Sequence, residues 1–264
     1  MALNPNISVR QQSILDYMRS HGEVQVESLA ETFNVTPQTI RRDLNQLYQL
    51  RLLQRVHGGA VIQDGIKNLG YGARKNLGVV QKAAIGRAAA QLIPNDSSLF
   101  INIGTTTEQV AEHIANHIGL LVVTNNMNVA YTLRTKSTFE IMIAGGLIRR
   151  EDGGIIGGST EEFVSKFKVD YAVIGASAID EDGDVLDFDA REVRVAQAIV
   201  AHARSVILVA DSMKFQRTAP IRICDISQVD CLVTDQQPPL KLQEICRAGR
   251  VDIEVASGVD EKND

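Results

Sequence analysis

The chain has 264 residues, and 44% of them are apolar, which is enough for two domains with cores of their own. The net charge of −5 is uneven: residues 1–75 carry nine Lys and Arg against six Asp and Glu (+3), whereas the rest carries 18 against 26 (−8). No apolar run is long enough to span a bilayer, and the first ten residues lack the apolar core of a signal peptide. These properties exclude an integral membrane protein and predict a cytoplasmic protein whose basic N-terminal part suits nucleic acid.

The cysteine and histidine residues do not form a recognisable metal motif. Cys224, Cys231 and Cys246 include no C-x-x-C pair, and their odd number fits no closed set of disulfides. We expect reduced thiols. His113 and His117 are four residues apart on a predicted helix, but no third ligand has a suitable spacing. The sequence therefore predicts neither a metal site nor a cofactor.

Residues 1–62 have the pattern of three short helices followed by two strands. The helices are predicted over 7–20, 26–33 and 36 to about 50, and the strands lie within 52–61 around His57-Gly58-Gly59. Asn34 suits a left-handed turn between the second and third helices. Thr36-Pro37 is a strong start for the third helix, since Thr caps helix N-termini and Pro is favoured in the first turn.

This order of elements predicts a winged helix-turn-helix, whose third helix enters the major groove of DNA. Ile40, Leu44 and Leu47 would bury one side of that helix, and Asp43 beside them is expected to orient a neighbouring Arg. Arg and Gln pair with base edges, and a helix N-terminus suits phosphate. An ordinary solvated helix face is the alternative, but the tight turn before this helix and the hairpin after it favour DNA. The predicted DNA-contacting residues are Thr36, Gln38, Thr39, Arg41, Arg42, Asn45, Arg55 and His57.

The rest of the chain predicts a linker, a larger domain and a tail. Residues 63–80 are rich in glycine and have little periodicity, so a linker is predicted there. Over 81–257, helices alternate with short apolar strands, which predicts an α/β domain with a mostly parallel sheet covered on both faces. A tail is predicted over residues 258–264. The helices are predicted over 82–92, 106–117, 129–133, 160–167, 192–203 and 240–247, and the strands over 99–103, 120–124, 140–144, 171–174, 205–210, 229–234 and 251–255.

A candidate anion site follows the first strand of this domain. The run Ile103-Gly-Thr-Thr-Thr107 closes a strand and opens a helix, where backbone N–H groups and the helix dipole attract an anion. A plain helix cap is the alternative. The run lacks the Lys of a nucleotide P-loop, so ATP fits poorly. Polar residues follow other strands too, at the edge where open α/β sheets bind ligands.

These strand ends define the predicted site for a phosphorylated effector. Lys214 would neutralise phosphate, and the carboxylates near residue 190 would accept hydroxyl groups of a sugar or glycerol. The predicted effector-binding residues are Asn102, Gly104, Thr105, Thr106, Thr107, Thr124, Asn125, Asn126, Gly145, Gly146, Asp187, Asp189, Glu192, Asp211 and Lys214.

Several segments resemble the DeoR family of bacterial transcription regulators, and the resemblance covers nearly the whole chain. NVTPQTIRRDLNQL at 34–47 and LLQRVHGGA at 52–60 carry the match to the family. Further matches resemble members that respond to glycerol 3-phosphate; these are FINIGTTTE at 100–108, VTNN at 123–126, DGGIIG at 152–157, DFD at 187–189 and EVR at 192–194. The resemblance implies a sensing domain similar to ribose-5-phosphate isomerase, with phosphate near Gly-Thr-Thr and a Lys in Asp-Ser-x-Lys-Phe.

The chain departs from the family pattern at two places. Ala196 and Gln197 stand where many members carry a Lys, and Ala190 stands where the members that respond to glycerol 3-phosphate carry an aromatic residue.

The resemblance implies a repressor of a carbon-metabolism operon that leaves its double-stranded operator when glycerol 3-phosphate or a sugar phosphate binds. Helix-turn-helix proteins pair their half-sites through symmetry, so a homodimer or homotetramer held by the C-terminal domain is expected. The alternative is an isomerase-like enzyme with an appended DNA-binding domain, because carboxylates and a Lys beside a phosphate site can transfer protons. Turnover of sugar phosphates distinguishes the two.

Overall fold

The computed structural model describes residues 8–21, 24–49, 53–56, 59–62 and 70–256. Tertiary contacts divide the chain into two compact units, with the boundary after Leu77. Within the described ranges, no helix has the length and apolar character needed to cross a membrane.

The N-terminal unit is a small helical domain with a three-stranded antiparallel sheet in the order β1-β3-β2. Its core includes Ile14, Met18 and Leu29, which are fully buried. Asn34 adopts the left-handed conformation (φ 51°), as predicted. The predicted order of helices and strands is confirmed. The elements are α1 (Val9–His21), β1 (Val24–Gln25), α2 (Val26–Thr32), α3 (Pro37–Gln49), β2 (Leu53–Val56), β3 (Gly59–Ile62) and α4 (Tyr71–Asn76).

Helix α4 corrects the sequence prediction for residues 63–80. Residues 63–69 lie outside the described ranges, but residues 71–76 are helical where the sequence predicts a linker without secondary structure. The glycine content was a poor guide here. Gly72 lies inside this helix but is exposed, so its lack of a side chain removes no packing contact. Helix α5 then begins at Val79, before the predicted end of the linker.

The C-terminal unit alternates strands and helices, as the sequence predicts. Its helices are α5 (Val79–Gln91), α6 (Thr105–Ile114), α7 (Met127–Lys136), α8 (Gly158–Val164), α9 (Ala190–Ala201) and α10 (Leu240–Gly249), with short 3₁₀ helices at Ser212–Gln216 and Ile226–Gln228. Its strands are β4 (Ser98–Ile101), β5 (Leu121–Thr124), β6 (Glu140–Ile143), β7 (Leu147–Ile148), β8 (Ile155–Ile156), β9 (Val169–Gly175), β10 (Ala178–Ile179), β11 (Asp184–Asp187), β12 (Ala203–Val209), β13 (Ile221–Asp225), β14 (Cys231–Thr234) and β15 (Asp252–Val255).

Seven strands form one parallel sheet in the order β15-β14-β12-β9-β4-β5-β6, which confirms the predicted architecture. The chain runs outward from β4 to β6 on one side and from β9 to β15 on the other. The strand order therefore reverses between β4 and β9. The hairpin β7–β8 and the small antiparallel sheet β10-β11-β13 were not predicted. Strands β7, β8 and β10 have only two residues each, which give no readable alternation.

Both faces of the parallel sheet are buried, and alternate residues of a strand belong to different cores. In β9, Ala172 and Ile174 pack in the core beneath α8, α9 and α10, whereas Val173 packs in the core beneath α5, α6 and α7. The strands therefore read as continuous apolar runs rather than as alternating ones. This layering leaves the ends of the strands as the places where polar side chains can gather.

Helices α5 and α6 approach closely at Gly86. A Cβ atom added at Gly86 would lie 2.7 Å from the backbone carbon of Gln109 and 2.8 Å from its oxygen. Because backbone atoms cannot rotate away, any side chain at residue 86 must push the two helices apart.

We predict that Gly86→Ala lowers the free energy of unfolding of the C-terminal unit by about 1–3 kcal/mol, the usual cost of overpacking. Chemical denaturation followed by circular dichroism measures this change. Gly158→Ala is the control, since a Cβ atom there would meet no atom within 4 Å. Equal stability of the two variants would contradict the close packing of α5 on α6.

Candidate nucleic-acid interface and effector site

Helix α3 presents a polar face opposite a buried apolar one. Ile40, Leu44 and Leu47 are at most 2% exposed, as predicted. At the helix start, the Thr36 hydroxyl oxygen accepts a hydrogen bond from the Thr39 backbone N–H at 3.2 Å. The sequence-predicted DNA contacts on the exposed side of this region are Thr36, Gln38, Arg41, Arg42 and Asn45, whereas Thr39 is half-buried.

Asp43 fastens α3 to α1. Its carboxylate is buried and accepts hydrogen bonds from Arg10 Nε at 2.6 Å and Arg10 Nη2 at 3.3 Å. This bidentate pairing confirms the expectation that Asp43 orients an Arg. On the other side of α3, the Tyr48 hydroxyl donates to the Gly59 carbonyl at 3.1 Å and so holds β3 against the helix. The geometry of helix and wing is therefore fixed by polar contacts as well as by the core.

The two arginines of α3 differ in their surroundings. Arg41 Nη2 lies 3.1 Å from Glu27 Oε1 on α2, and both side chains are more than half exposed. Such an exposed pair costs little to break. Arg42 is exposed and has no ion pair with any other residue that the structure describes. Of the remaining predicted contacts, Arg55 belongs to β2, and His57 lies outside the described residues.

The run Gly104–Thr107 lies at the end of β4, where the order of the parallel strands reverses. Gly104 has φ 152°, which disfavours any other residue, and Thr105 begins α6. Asn102 Oδ1 accepts from the Ile103 N–H at 2.7 Å, and the Thr107 hydroxyl is 2.8 Å from the carbonyls of both Asn102 and Gly104. These two predicted site residues therefore shape the turn. The hydroxyls of Thr105 and Thr106 make no hydrogen bond to another described residue.

The polar residues after β5 also support the fold. The Thr124 hydroxyl donates to the Ile101 carbonyl at 2.7 Å, which ties β5 to β4. Asn126 Oδ1 caps α7 by accepting from the Asn128 N–H at 2.9 Å, and Asn125 Nδ2 donates to the Ile155 carbonyl at 3.1 Å. All three predicted residues are buried. Beyond β6, Gly145 and Gly146 are exposed, and the Gly145 carbonyl accepts from the Thr160 hydroxyl at 3.1 Å.

Arg149, which sequence reasoning missed, lies among three carboxylates at this edge of the sheet. Its guanidinium pairs bidentately with Asp152 at 2.6 and 2.9 Å and also contacts Glu192 at 2.6 Å and Asp189 at 3.2 Å. Asp189 accepts from Arg191 as well. Hydrogen bonds from Arg191 and the nearby charge of Arg149 lower the pKa of Asp189 to about 2. Asp189 is therefore ionised, and arginine orients both Asp189 and Glu192.

Asp211, at the end of β12, is 1% exposed, and neither of its carboxylate oxygens has a hydrogen-bond partner among the described residues. The next residue, Ser212, is held by Asp235, which accepts from its N–H at 2.6 Å. Lys214 follows within the same 3₁₀ helix. A buried acceptor without a donor is costly, so Asp211 is a natural position for a hydroxyl group of a ligand.

Asp187 and Lys82 complete the set of polar residues near this edge. Asp187 Oδ2 accepts from the Ser177 hydroxyl at 3.1 Å, which connects β11 to the end of β9. Lys82 is 4% exposed in the first turn of α5. Lys82 lies one helical turn before Gly86, the residue at which α5 approaches Gln109 of α6. Sequence reasoning missed Lys82, because a Lys near a helix start is usually exposed.

We predict that Arg149→Met lowers the free energy of unfolding by about 3 kcal/mol near neutral pH, because it leaves buried carboxylates without a partner. The loss shrinks as the pH falls toward about 2, the pKa of Asp189 beside Arg149, since protonation removes a carboxylate charge that this arginine compensates. Arg150→Met is the control, because Arg150 is exposed. Denaturation at a series of pH values measures both variants. A loss for Arg149→Met no larger than for Arg150→Met would show that the carboxylates do not depend on this arginine.

Two matched domains cover most of the chain. Residues 10–65 match the DeoR-like helix-turn-helix domain, and residues 78–236 match the DeoR C terminal sensor domain. The ribose 5 phosphate isomerase A of Neisseria gonorrhoeae superposes with a TM-score of 0.38 at 11% identity, covering 51% of this chain and 52% of that one. The Pyrococcus horikoshii translation initiation factor eIF-2B gives 0.42 at 15% identity, covering 79% and 81%. Such TM-scores are too low to transfer an activity.

Full-length relatives match over nearly the whole chain. The glycerol-3-phosphate regulon repressor of Escherichia coli K12 is 44% identical over 246 residues, which is 93% of this chain and 98% of that protein. The repressor of the same name from Haemophilus influenzae is 46% identical, with 88% and 90% covered. The HTH-type transcriptional repressor CsqR of Escherichia coli K12 is 37% identical, with 92% and 94% covered. Together with the two matched domains, these relatives show that the chain belongs to the DeoR family of transcription regulators.

Proposed function

We propose that this protein is a cytoplasmic repressor that binds double-stranded operator DNA and releases it when a phosphorylated metabolite binds, with glycerol 3-phosphate as the first candidate. The observation that carries the effector half is the carboxyl edge of the parallel sheet. There a helix start at the strand-order reversal offers N–H groups and two threonine hydroxyls, and a buried carboxylate lacks a donor. The names of two relatives, both glycerol-3-phosphate regulon repressors, support the choice of effector.

The DNA half rests on the matched helix-turn-helix domain and on the polar face of α3. Arg42 reaches solvent without an ion pair to the described residues, so its guanidinium is available to a guanine edge or a phosphate. Arg41 must first leave Glu27, at the small cost of an exposed pair. Gln38 and Asn45 on the same face supply the amide groups that adenine recognises.

The effector half combines an anion site with hydroxyl acceptors. The phosphate would lie at the N-terminus of α6, where its oxygens would accept hydrogen bonds from the Thr105 and Thr106 hydroxyls. Lys82 and Lys214 would supply positive charge. Asp211 would accept a hydroxyl group of the carbon skeleton. Asp187, Asp189 and Glu192 are already oriented by Ser177, Arg191 or Arg149, so they would act through their remaining lone pairs.

We also propose that the effector is bound without conversion. Arginine pairing keeps Asp189 ionised at a pKa of about 2, which is unsuited to a general acid or base near neutral pH. A sensor should show saturable binding of sugar phosphates with no change in their composition over time. Conversion of ribose 5-phosphate at a rate that scales with protein concentration would support the isomerase alternative.

The metabolite must bind the two functional states unequally if it is to release DNA. The expected coupling between effector and operator is about 1–3 kcal/mol, the usual range for allosteric proteins. The measurement is operator affinity by fluorescence anisotropy, with and without glycerol 3-phosphate. Tighter binding in the presence of the ligand would mean that the protein is co-repressed or activating.

We predict that Arg42→Ala weakens specific operator binding by about 1–3 kcal/mol if Arg42 reads a base. Arg41→Ala should weaken binding less, because Arg41 must break its ion pair with Glu27 before it contacts DNA. Anisotropy with operator and with a scrambled duplex separates the roles, because loss of a phosphate contact weakens both duplexes equally. Arg87→Ala, which removes an exposed Arg from α5, is the control for charge. Wild-type affinity of both α3 variants would remove this helix from the interface.

We predict that Thr106→Ala and Lys214→Ala keep operator affinity but need at least about tenfold more ligand for release, since each loses a charge-assisted phosphate contact. Thr106→Ser should respond like the wild type, because it keeps the hydroxyl. Lys166→Ala, just beyond the end of α8, controls for loss of an exposed lysine. Release of DNA by both variants at wild-type ligand concentrations would place the phosphate elsewhere.

A further inference from the structure

An apolar surface surrounds the outer strand of the parallel sheet. It includes Met142 and Ile143 on β6, which are 40% and 45% exposed. Residues of the neighbouring elements extend it: Leu147 and Ile148 on β7 are 60% and 49% exposed, and Met127 and Tyr131 on α7 are 42% and 65% exposed. We call these six residues the β6 surface. Large apolar side chains that are exposed around one strand mark a candidate interaction site.

The backbone of β6 is also open to pairing. Strand β6 is hydrogen-bonded to β5 on one side and ends the seven-strand order, so within the described part of the chain no strand pairs with its outer side. Natural proteins protect such edges with Lys, Pro, bulges or a covering loop. The strand Glu140-Ile-Met-Ile143 has none of these residues, and its ladder with β5 is regular. Both its backbone and its side chains therefore favour a partner.

We propose that the β6 surface is where a second copy of this chain docks, with β6 pairing antiparallel to its own counterpart about a two-fold axis. Residues directly opposite in such a pair point to the same face, so the axis must pass beside one residue, Ile141 or Met142. In either register Glu140 faces an uncharged residue, Met142 or Ala144, and no like charges oppose each other. The strand is thus complementary to itself.

Two requirements of the whole molecule also point to a second copy. A helix-turn-helix regulator reads two half-sites through a two-fold axis, and a self-pairing strand provides such an axis. A stable dimer buries about 800 Å² on each subunit around an apolar centre. Six large side chains, each 40–65% exposed, are suited to form that centre. The inference needs no effector, so it stands or falls separately from the proposed ligand response.

A single introduced cysteine tests the contact directly. Burial raises the pKa of Cys224 to about 12 and that of Cys231 to about 11, and Cys246 is buried, so the native thiols react slowly. In full-length Met142→Cys, a short bismaleimide should link most chains into covalent dimers. Leu240→Cys is the matched control, because Leu240 is 77% exposed on α10, beside the other end of the sheet. Equal cross-linking of both variants, or none in Met142→Cys, would overturn the proposal.

A disruptive substitution gives an independent readout. Met142→Lys and, separately, Leu147→Lys should at least halve the mass measured by light scattering at micromolar concentration, while the circular dichroism spectrum stays that of the wild type. Operator affinity should fall by about 10² or more, because two half-sites are no longer bound together. Leu240→Lys should change neither quantity. A wild-type protein that is monomeric, or a lysine variant that keeps the wild-type mass, would overturn the proposal.

Discussion

The direction in which seven parallel strands run determines where this protein can bind an anion. All carboxyl ends meet at one edge, and the strand order reverses between β4 and β9, so the connections from these two strands diverge and leave an opening there. Helix α6 begins at that opening and directs its N–H groups toward it. Both faces of the sheet are buried beneath helices, so this edge is the part of the sheet at which buried polar side chains concentrate.

The polar side chains at the edge divide into two groups with different physical roles. Asn102, Thr107 and Thr124 use their hydrogen bonds to close turns and to tie neighbouring strands together. The Asp211 carboxylate has no such bond within the described ranges, and the Thr106 hydroxyl is not hydrogen-bonded to another described residue. The first group makes the edge rigid, and the second leaves it with unmet hydrogen-bonding capacity. A preorganised site needs both, because rigidity keeps the unsatisfied groups from turning toward each other.

The sequence was sufficient to predict the two-domain division, the winged helix-turn-helix and the parallel sheet, because helix caps and long apolar strands are local signals. It also led to the turn at Gly104 and to the role of Asp43. It could not reveal Arg149, whose partners Asp189 and Glu192 lie about forty residues away, since such a contact depends on tertiary folding. The helix at 71–76 was missed because glycine content outweighed a short pattern.

The pairing of Arg41 with Glu27 has a consequence for how a repressor searches a chromosome. Every duplex, whatever its sequence, attracts the cations of α3 through its phosphates. That attraction sets how long the protein stays bound to DNA other than its operator. A carboxylate on α2 beside Arg41 offers an internal substitute for phosphate and repels the backbone. It therefore weakens sequence-independent binding, while base contacts at the operator can compensate for the loss. The residence time on random DNA shortens, and more of the protein remains available to sample new sites.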